Sequence, residues 1–306
     1  MVMKGNIKMD LENKAIERLR MASEMSLHHY GLPLICTYSG GKDSDVMLEL
    51  FKRSGIPFEV YNSHTTADAP QTVYHIRGVF RKLELQGIKC DIDYHRQKNG
   101  IAITMWNLIP RKLLPPTRIM RYCCSELKES GCRNRIIATG VRWGESISRR
   151  NRESFEVIGS TKKGKVLVSD SKMLLSDNDD RRKLFERCEM KAKTVVNPLI
   201  DWLDNDIWEF INQEHVEVNK LYRCGYERVG CIGCPMAGKK KRKKEFSDFP
   251  AYKVAYINAF EKMLGVRKKK GLETKWGTGE EVFLWWIEDK NIPGQMSITE
   301  YLEMQG

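Results

Sequence analysis

The sequence predicts an α/β protein on a doubly wound, mainly parallel sheet, with a small C-terminal region that carries cysteines. Three observations lead there. Short apolar runs alternate with stretches of helical period, a glycine-rich turn joins the first such run to a helix, and cysteines gather beside a basic run in the last third. Leu11, Ala15, Leu19 and Ala22, widened by Ile16, fall at helical spacing, so an amphipathic helix should end near Gly31, with Pro33 beyond it. Leu34 to Tyr38 has the length of a strand, and Val46, Met47, Leu50 and Phe51 mark the helix after the turn. Further strands are expected at 58–61, 91–94 and 135–139, with a helix over about 70–86 between the second and third. Residues 160–186 turn polar and read as an excursion, with a hairpin around Val166 to Val168. Asp204 or Asn205 should cap a helix bearing Ile207, Trp208, Phe210 and Ile211, and two more helices are expected around 252–264 and 280–289.

The 306 residues suggest about two domains, here a 1–200 α/β domain and a 201–306 helical region holding cysteines and the basic run. A chain this long needs no disulfide staples. No apolar run reaches the length of a membrane span, and the first thirty residues are too charged for a signal-peptide core, so a cytoplasmic protein with no membrane partner is expected. A formal charge of +12 favours anionic partners, and nine cysteines in a reducing compartment suggest metal or redox chemistry.

Ser39-Gly40-Gly41-Lys42-Asp43-Ser44 lies between a strand and a helix. Two glycines let backbone N–H groups converge, the helix N-terminus adds positive potential, and Ser39, Ser44 and Lys42 add donors, a combination suited to phosphates. Asp43 is placed to hold magnesium between them. The loop lacks the spacing of a Walker A motif and resembles instead the pyrophosphate-binding loop of the adenine nucleotide alpha hydrolase group of ATP pyrophosphatases.

The resemblance extends along the chain. Gly140-Val141-Arg142-Trp143-Gly144-Glu145-Ser146-Ile147-Ser148-Arg149 is similar to the G-x-R-x-x-E-S-x-x-R signature of the phosphoadenosine phosphosulfate (PAPS) reductase family, and the segments 121–128 and 197–202 match that family's pattern as well. It implies an adenine-nucleotide partner, ATP with Mg2+, held by residues 39–44 with Gly140, Arg142, Glu145 and Ser146. It also implies chemistry carried by Lys42, Asp43, Arg142 and Arg149, the arginines clamping phosphate. Two departures matter. The loop is intact where sulfonucleotide reductases have a degenerate one, and no cysteine follows Cys234, where those reductases carry an attacking thiol. His64 stands where relatives have an acidic residue, which leaves adenosine contacts near Thr65 and Asp68 open.

Cys224, Cys231 and Cys234 form a compact trio with Gly225, Gly230 and Gly233 between and beside them, and Cys123 and Cys124 supply further thiols. The pattern resembles the iron–sulfur branch of the family, close to the DNA phosphorothioation sulfurtransferases, and implies a 4Fe–4S cluster on Cys123 with the trio; a reductase would use both Cys123 and Cys124. Zinc on four thiolates is the alternative metal. Cys36, Cys90, Cys132 and Cys188 stand apart, and Cys36 and Cys90 suit a core. The run Lys239-Lys240-Lys241-Arg242-Lys243-Lys244, with Arg267 to Lys270, suits DNA or RNA as well as it suits a solvated loop. Trp285 and Trp286 sit among Phe283, Leu284 and Ile287, which favours a buried helix over a stacking platform.

The expected function is an ATP-dependent iron–sulfur sulfurtransferase that adenylates an acceptor with release of pyrophosphate, then transfers sulfur, with nucleic acid a candidate acceptor and a sulfur or electron donor protein implied. The alternatives are a sulfonucleotide reductase releasing sulfite and a redox-sensing nucleic-acid-binding protein without catalysis.

Overall fold

The computed structural model describes residues 2–132, 134–146, 149–158 and 193–288. The polar 160–186 excursion, its hairpin and Cys188 lie outside the described residues. The chain forms two compact units. One comprises residues 1–64, 70–94 and 130–230, the other 65–69, 95–129 and 231–306.

The first unit holds the sheet. Its strands are β1 (Leu34–Thr37), β2 (Phe58–Ser63), β3 (Cys90–Asp93), β4 (Ile136–Ala138), β5 (Phe155–Ile158) and β6 (Lys193–Val196), in the order β3-β2-β1-β4-β6-β5. All neighbours are parallel except β5 against β6. The helices α1 (Val2–Tyr30), α2 (Lys42–Ser54), α3 (Pro70–Glu84) and α6 (Asp204–Gln213) cover the sheet. The buried apolar residues that packing requires come from all of them: Leu19, Leu34, Val46, Phe51, Phe80, Ala138, Trp202 and Phe210 belong to one cluster. The helix at 204–213 begins differently from the sequence expectation, since Leu203 occupies the N-cap and Asp204 the first turn.

The order of strands fixes where a ligand would sit. From β1 the chain crosses to β2 and β3 on one side, while β4 pairs with β1 on the other. The crevice at such a reversal, beyond the carboxyl ends of the strands, is where open α/β sheets take their ligands. Residues 39–44 leave β1 there and 140–146 leave β4 there.

The second unit is helical: α4 (Met105–Lys112), α5 (Tyr122–Leu127), α7 (Lys239–Asp248), α8 (Pro250–Lys269) and α9 (Gly279–Glu288), with α8 packed on α4 and α9. Phe246, Tyr256, Phe260, Phe283 and Trp286 are buried together, with Tyr256 and Trp286 ring centroids 4.7 Å apart. Trp286 thus belongs to a core, whereas Leu284 is 55% exposed. No helix among the described residues is long and apolar enough to cross a membrane.

Candidate functional site

In the first unit the loop is shaped by steric necessity. Gly40 has φ +71, and a Cβ there would lie 2.8 Å from Ile76 Cγ1 and 3.2 Å from Thr72 Cγ2, so only glycine fits. Asn219 Nδ2 fixes the turn by donating to Gly40 O (3.2 Å) and to Thr72 Oγ1 (3.0 Å). Ser44 closes the start of α2, its Oγ donating to Gly41 O at 2.7 Å. The Lys42 N–H donates to Tyr222 Oη at 2.8 Å. Behind the loop, Tyr38, Asp45 and His75 form a buried set: His75 Nε2 lies 2.9 Å from both Tyr38 Oη and Asp45 Oδ1, and the tyrosine hydroxyl donates to the same carboxylate. Burial pushes the Asp45 carboxyl up, with His75 and then Tyr38 opposing it.

The charged groups converge at the mouth of the loop. Lys42 Nζ donates to Asp204 Oδ1 at 2.7 Å, and Arg142 Nη2 donates to the same oxygen at 2.9 Å. Arg142 Nε also donates to Asp43 Oδ1 at 2.6 Å. Arg142 is 3% exposed and Lys42 5%, so neither cation has water to replace these carboxylates. Burial pushes the Asp204 carboxyl up, but Lys42 and Arg142 together hold it below the ordinary carboxylate range. Gly140 lets β4 approach α2, since a Cβ there would meet Asp43 Cβ at 3.3 Å. Glu145 accepts from Arg142 N–H at 3.2 Å and pairs with Arg149; Ser146 is exposed. Lys42, Asp43 and Arg142 are therefore brought together, while Arg149 is engaged by Glu145. Asp204, Tyr222 and Asn219 complete the site without being legible as site residues in the sequence; the one signal for Asp204 was its place just after the 197–202 segment.

In the second unit Cys123 and Cys124 start α5, and Cys231 and Cys234 precede α7. A hydrogen bond from Cys123, opposed by burial and aided by Arg121, lowers the Cys124 thiol below its ordinary range, and Cys123 is raised correspondingly. Arg121 Nη2 lies 3.4 Å from Cys124 Sγ. Burial raises the Cys231 thiol to about 12, and its sulfur lies 3.4 Å from Thr65 Oγ1 and 3.7 Å from Asp68 Oδ1. The Lys128 side chain is exposed, and Cys231 first, then Asp68, Cys124 and Cys234, raise its ammonium above the ordinary lysine range. Soft sulfur donors beside two exposed cations suit an anionic thiolate-bound cluster, because Lys128 and Arg121 offset its charge. Among the described residues no three side chains already form a closed metal-ligand group. Cys224 belongs to the first unit, exposed at the end of the short 3-10 helix Lys220–Cys224. Cys36 is wholly buried and Cys90 partly buried against the core of the first unit, as expected; Cys132, partly buried, belongs to the same unit.

The basic run forms α7, and most of its charge is already committed. Arg242 is fully buried, its Nη1 donating to Trp286 O at 2.8 Å. Lys241, Lys243 and Lys244 pair with Glu245, Glu288 and Asp248.

The family model for the phosphoadenosine phosphosulfate reductase domain matches residues 33–237. An uncharacterized protein of Methanocaldococcus jannaschii is 23% identical over 86% of this chain, which spans 54% of that relative's length, about half. The adenosine 5'-phosphosulfate reductase of Oceanobacillus iheyensis is 36% identical over 22% of this chain and 24% of its own. Among solved structures, the U34-tRNA thiolase NcsA of Methanococcus maripaludis with its [4Fe-4S] cluster aligns at a TM-score of 0.42 and 13% identity, over 87% of this chain and 83% of that one. With two thirds of its length matched by the model, the chain belongs to the phosphoadenosine phosphosulfate reductase domain family.

Proposed function

We propose that this protein is an ATP-dependent sulfurtransferase that activates an acceptor oxygen by adenylation and then replaces it with sulfur. The observation that carries this is the intact loop with Lys42 and Arg142 held at its mouth by Asp43 and Asp204. Two buried cations beside a glycine turn and a helix N-terminus suit a departing pyrophosphate, which a sulfonucleotide lacks. In the first step the acceptor oxygen bonds to the α-phosphorus, and the bond from that phosphorus to the β-bridging oxygen breaks. Pyrophosphate leaves with the electron pair, stabilised by Lys42, Arg142 and magnesium held through Asp43. In the second step sulfide attacks the activated carbon, a C–S bond replaces the C–O bond, and AMP departs.

Cys123, Cys124, Cys231 and Cys234, with Cys224 as the fifth candidate, are the thiols that would hold a 4Fe–4S cluster, or zinc as the alternative. A cluster when bound supplies soft-metal affinity for sulfide. Lys128 and Arg121 neutralise charge at the thiols, and Thr65 and Asp68 orient Cys231.

A second reading, a sulfonucleotide reductase, is favoured by one observation. The four thiols of the second unit are a Cys-Cys pair and a Cys-x2-Cys pair, the set such a reductase would use. The same anaerobic preparation separates the two. Pyrophosphate release from ATP, lost in Lys42→Ala, is expected. Sulfite release from adenosine phosphosulfate with no turnover of ATP would replace this function with the reductase.

A further inference from the structure

If α7 has spent most of its charge internally, a nucleic acid needs another surface, and the first unit offers one at the edge of the sheet. On α3, Thr72, Ile76, Phe80 and Leu83 face the core, which leaves Tyr74, Arg77 and Arg81 on the outer face at i, i+3 and i+7. Tyr74 is 71% exposed. Neither Arg77 nor Arg81 has an acidic partner within ion-pair distance among the described residues, whereas Lys82 on the flank is tied to Glu217.

A second pair of rings continues this face. Ser63 and Asp93 are register partners at the carboxyl ends of β2 and β3, so His64 and Tyr94 leave the sheet side by side. Their rings meet edge to face at 5.2 Å, and Tyr94 remains 47% exposed. Arg77 Nη2 reaches to 3.5 Å from Tyr94 Oη, which joins the α3 stripe to the strand ends. Acidic groups nearby are Asp93, occupied by the Tyr61 hydroxyl, Asp91, exposed further down β3, and Glu84, exposed one turn beyond Arg81 at the end of α3.

We propose that Tyr74, Arg77, Arg81, His64 and Tyr94 form a binding track for single-stranded nucleic acid. Rings offer faces to unpaired bases, and unpaired guanidinium groups offer forks to phosphates, the combination single strands require. From Tyr74 to Arg81 the helix rises about 10 Å, roughly three base steps of 3.4 Å. Because β1, β2 and β3 are parallel, His64 and Tyr94 lie at the same end of the sheet as the loop at 39–44, as does the start of α3 with Tyr74, while α3 runs back along the sheet so that Arg81 lies toward the amino end of β3; β3 is two strands, about 10 Å, from β1. A strand bound there would bring a neighbouring nucleotide toward the activating loop. Why a nucleic acid should come to this edge rests on the proposed sulfurtransferase function; the surface itself does not.

The test is fluorescence anisotropy with labelled oligo(dT) and oligo(U) of roughly 12 nucleotides, and a duplex control, without ATP. Tyr74→Ala with Tyr94→Ala should weaken single-strand binding at least about thirtyfold, while the two Tyr→Phe changes keep it, which separates stacking from damage to the fold. Arg77→Ala with Arg81→Ala should lower the slope of log K against log salt by about 1.4. Lys239→Ala with Lys240→Ala should change binding less than twofold. The proposal is overturned if the lysine pair abolishes binding while the α3 variants leave it intact, if duplex binds as well as single strand, or if an acidic protein binds this face and no oligonucleotide does. Pyrophosphate assays on the same preparation keep the two ideas apart. Oligonucleotide binding without pyrophosphate release would remove the sulfurtransferase and leave the track, and the reverse would remove the track alone.

Discussion

Replacing Gly233 by alanine tests whether the cysteine turn is held by packing or merely follows its ligands. Gly233 lies between Cys231 and Cys234 with φ +71, and its N–H donates to Glu245 Oε2 at 2.8 Å. A Cβ there would sit 2.5 Å from Phe246 Cζ and 2.9 Å from Trp286 Cη2, both on buried rings. The left-handed backbone costs a β-carbon about 1–2 kcal/mol. Forcing two packed rings apart costs about 1–3 kcal/mol more, so about 3 kcal/mol in all is expected. Urea unfolding followed by tryptophan fluorescence measures it, since Trp286 is one of the rings displaced. Two other glycines calibrate the result. Gly225 shares a positive φ, +77, but has open space around it, so alanine there should cost about 1 kcal/mol. Gly230 has neither feature, and its alanine variant should stay within about 0.5 kcal/mol of the parent. The three were alike in the sequence, where each appeared to permit a sharp turn. Equal costs at all three, or a cost below about 1 kcal/mol at Gly233, would refute the packing argument.

Lys42→Ala should weaken binding of magnesium–ATP by roughly ten- to a hundredfold in calorimetry, the effect of losing a charge-assisted hydrogen bond to phosphate, while metal content is unchanged. Asp204→Asn tests linkage. The carboxyl is held below its ordinary value in the folded state, so its contribution is present above the unfolded pKa, about 4, and is lost as pH falls through the lowered folded value. The stability difference between parent and variant should therefore be constant near neutral pH and shrink in acid, which urea melts across that range would show. Arg242→Ala should cost about 3 kcal/mol, because it removes a fully buried side chain that holds the Trp286 carbonyl, whereas Lys240→Ala, exposed on the same helix, should cost under about 0.5 kcal/mol; thermal melts of the two variants compare them.

Much of the sheet was legible because β1 and β4 are apolar runs and β2 is rich in strand-forming Phe, Val and Tyr between turn residues, and the glycine loop announced itself through composition alone. β5 and β6 were not. Glu156 in the middle of β5 breaks the apolar pattern, yet it is buried and neutralised by Arg152, an arrangement visible only once the strands are paired. The run at 239–248 looked like solvated loop or nucleic-acid contact, and it forms a helix because lysine and arginine are good helix formers and Arg242, Glu245 and Phe246 make an inward stripe at i, i+3 and i+4. A buried arginine in that stripe defeats any rule that equates charge with exposure. Asp204 read as a helix cap because local spacing says nothing about a lysine 162 residues away. Tyr222 and Asn219, about 180 residues from the loop they brace, left no local trace at all.

The carboxylates at the loop explain why a site for an anion need not begin as a positive hole. Lys42 and Arg142 are too deeply buried to stand unpaired, so Asp43 and Asp204 serve as their resident partners. Two cations and two carboxylates leave the mouth close to neutral, and an arriving triphosphate must compete with Asp43 and Asp204 for the same donors. On the proposed function, magnesium resolves that competition. A dication drawn to Asp43 and to the phosphates would neutralise that carboxylate and free the Arg142 Nε it holds, whereas Lys42, held by Asp204, turns to the pyrophosphate only as the phosphates displace Asp204. Asp204, more exposed and attached to α6, is free to swing toward solvent when its partners leave. Nucleotide and metal should therefore bind as one unit, with each weakening markedly when the other is withheld.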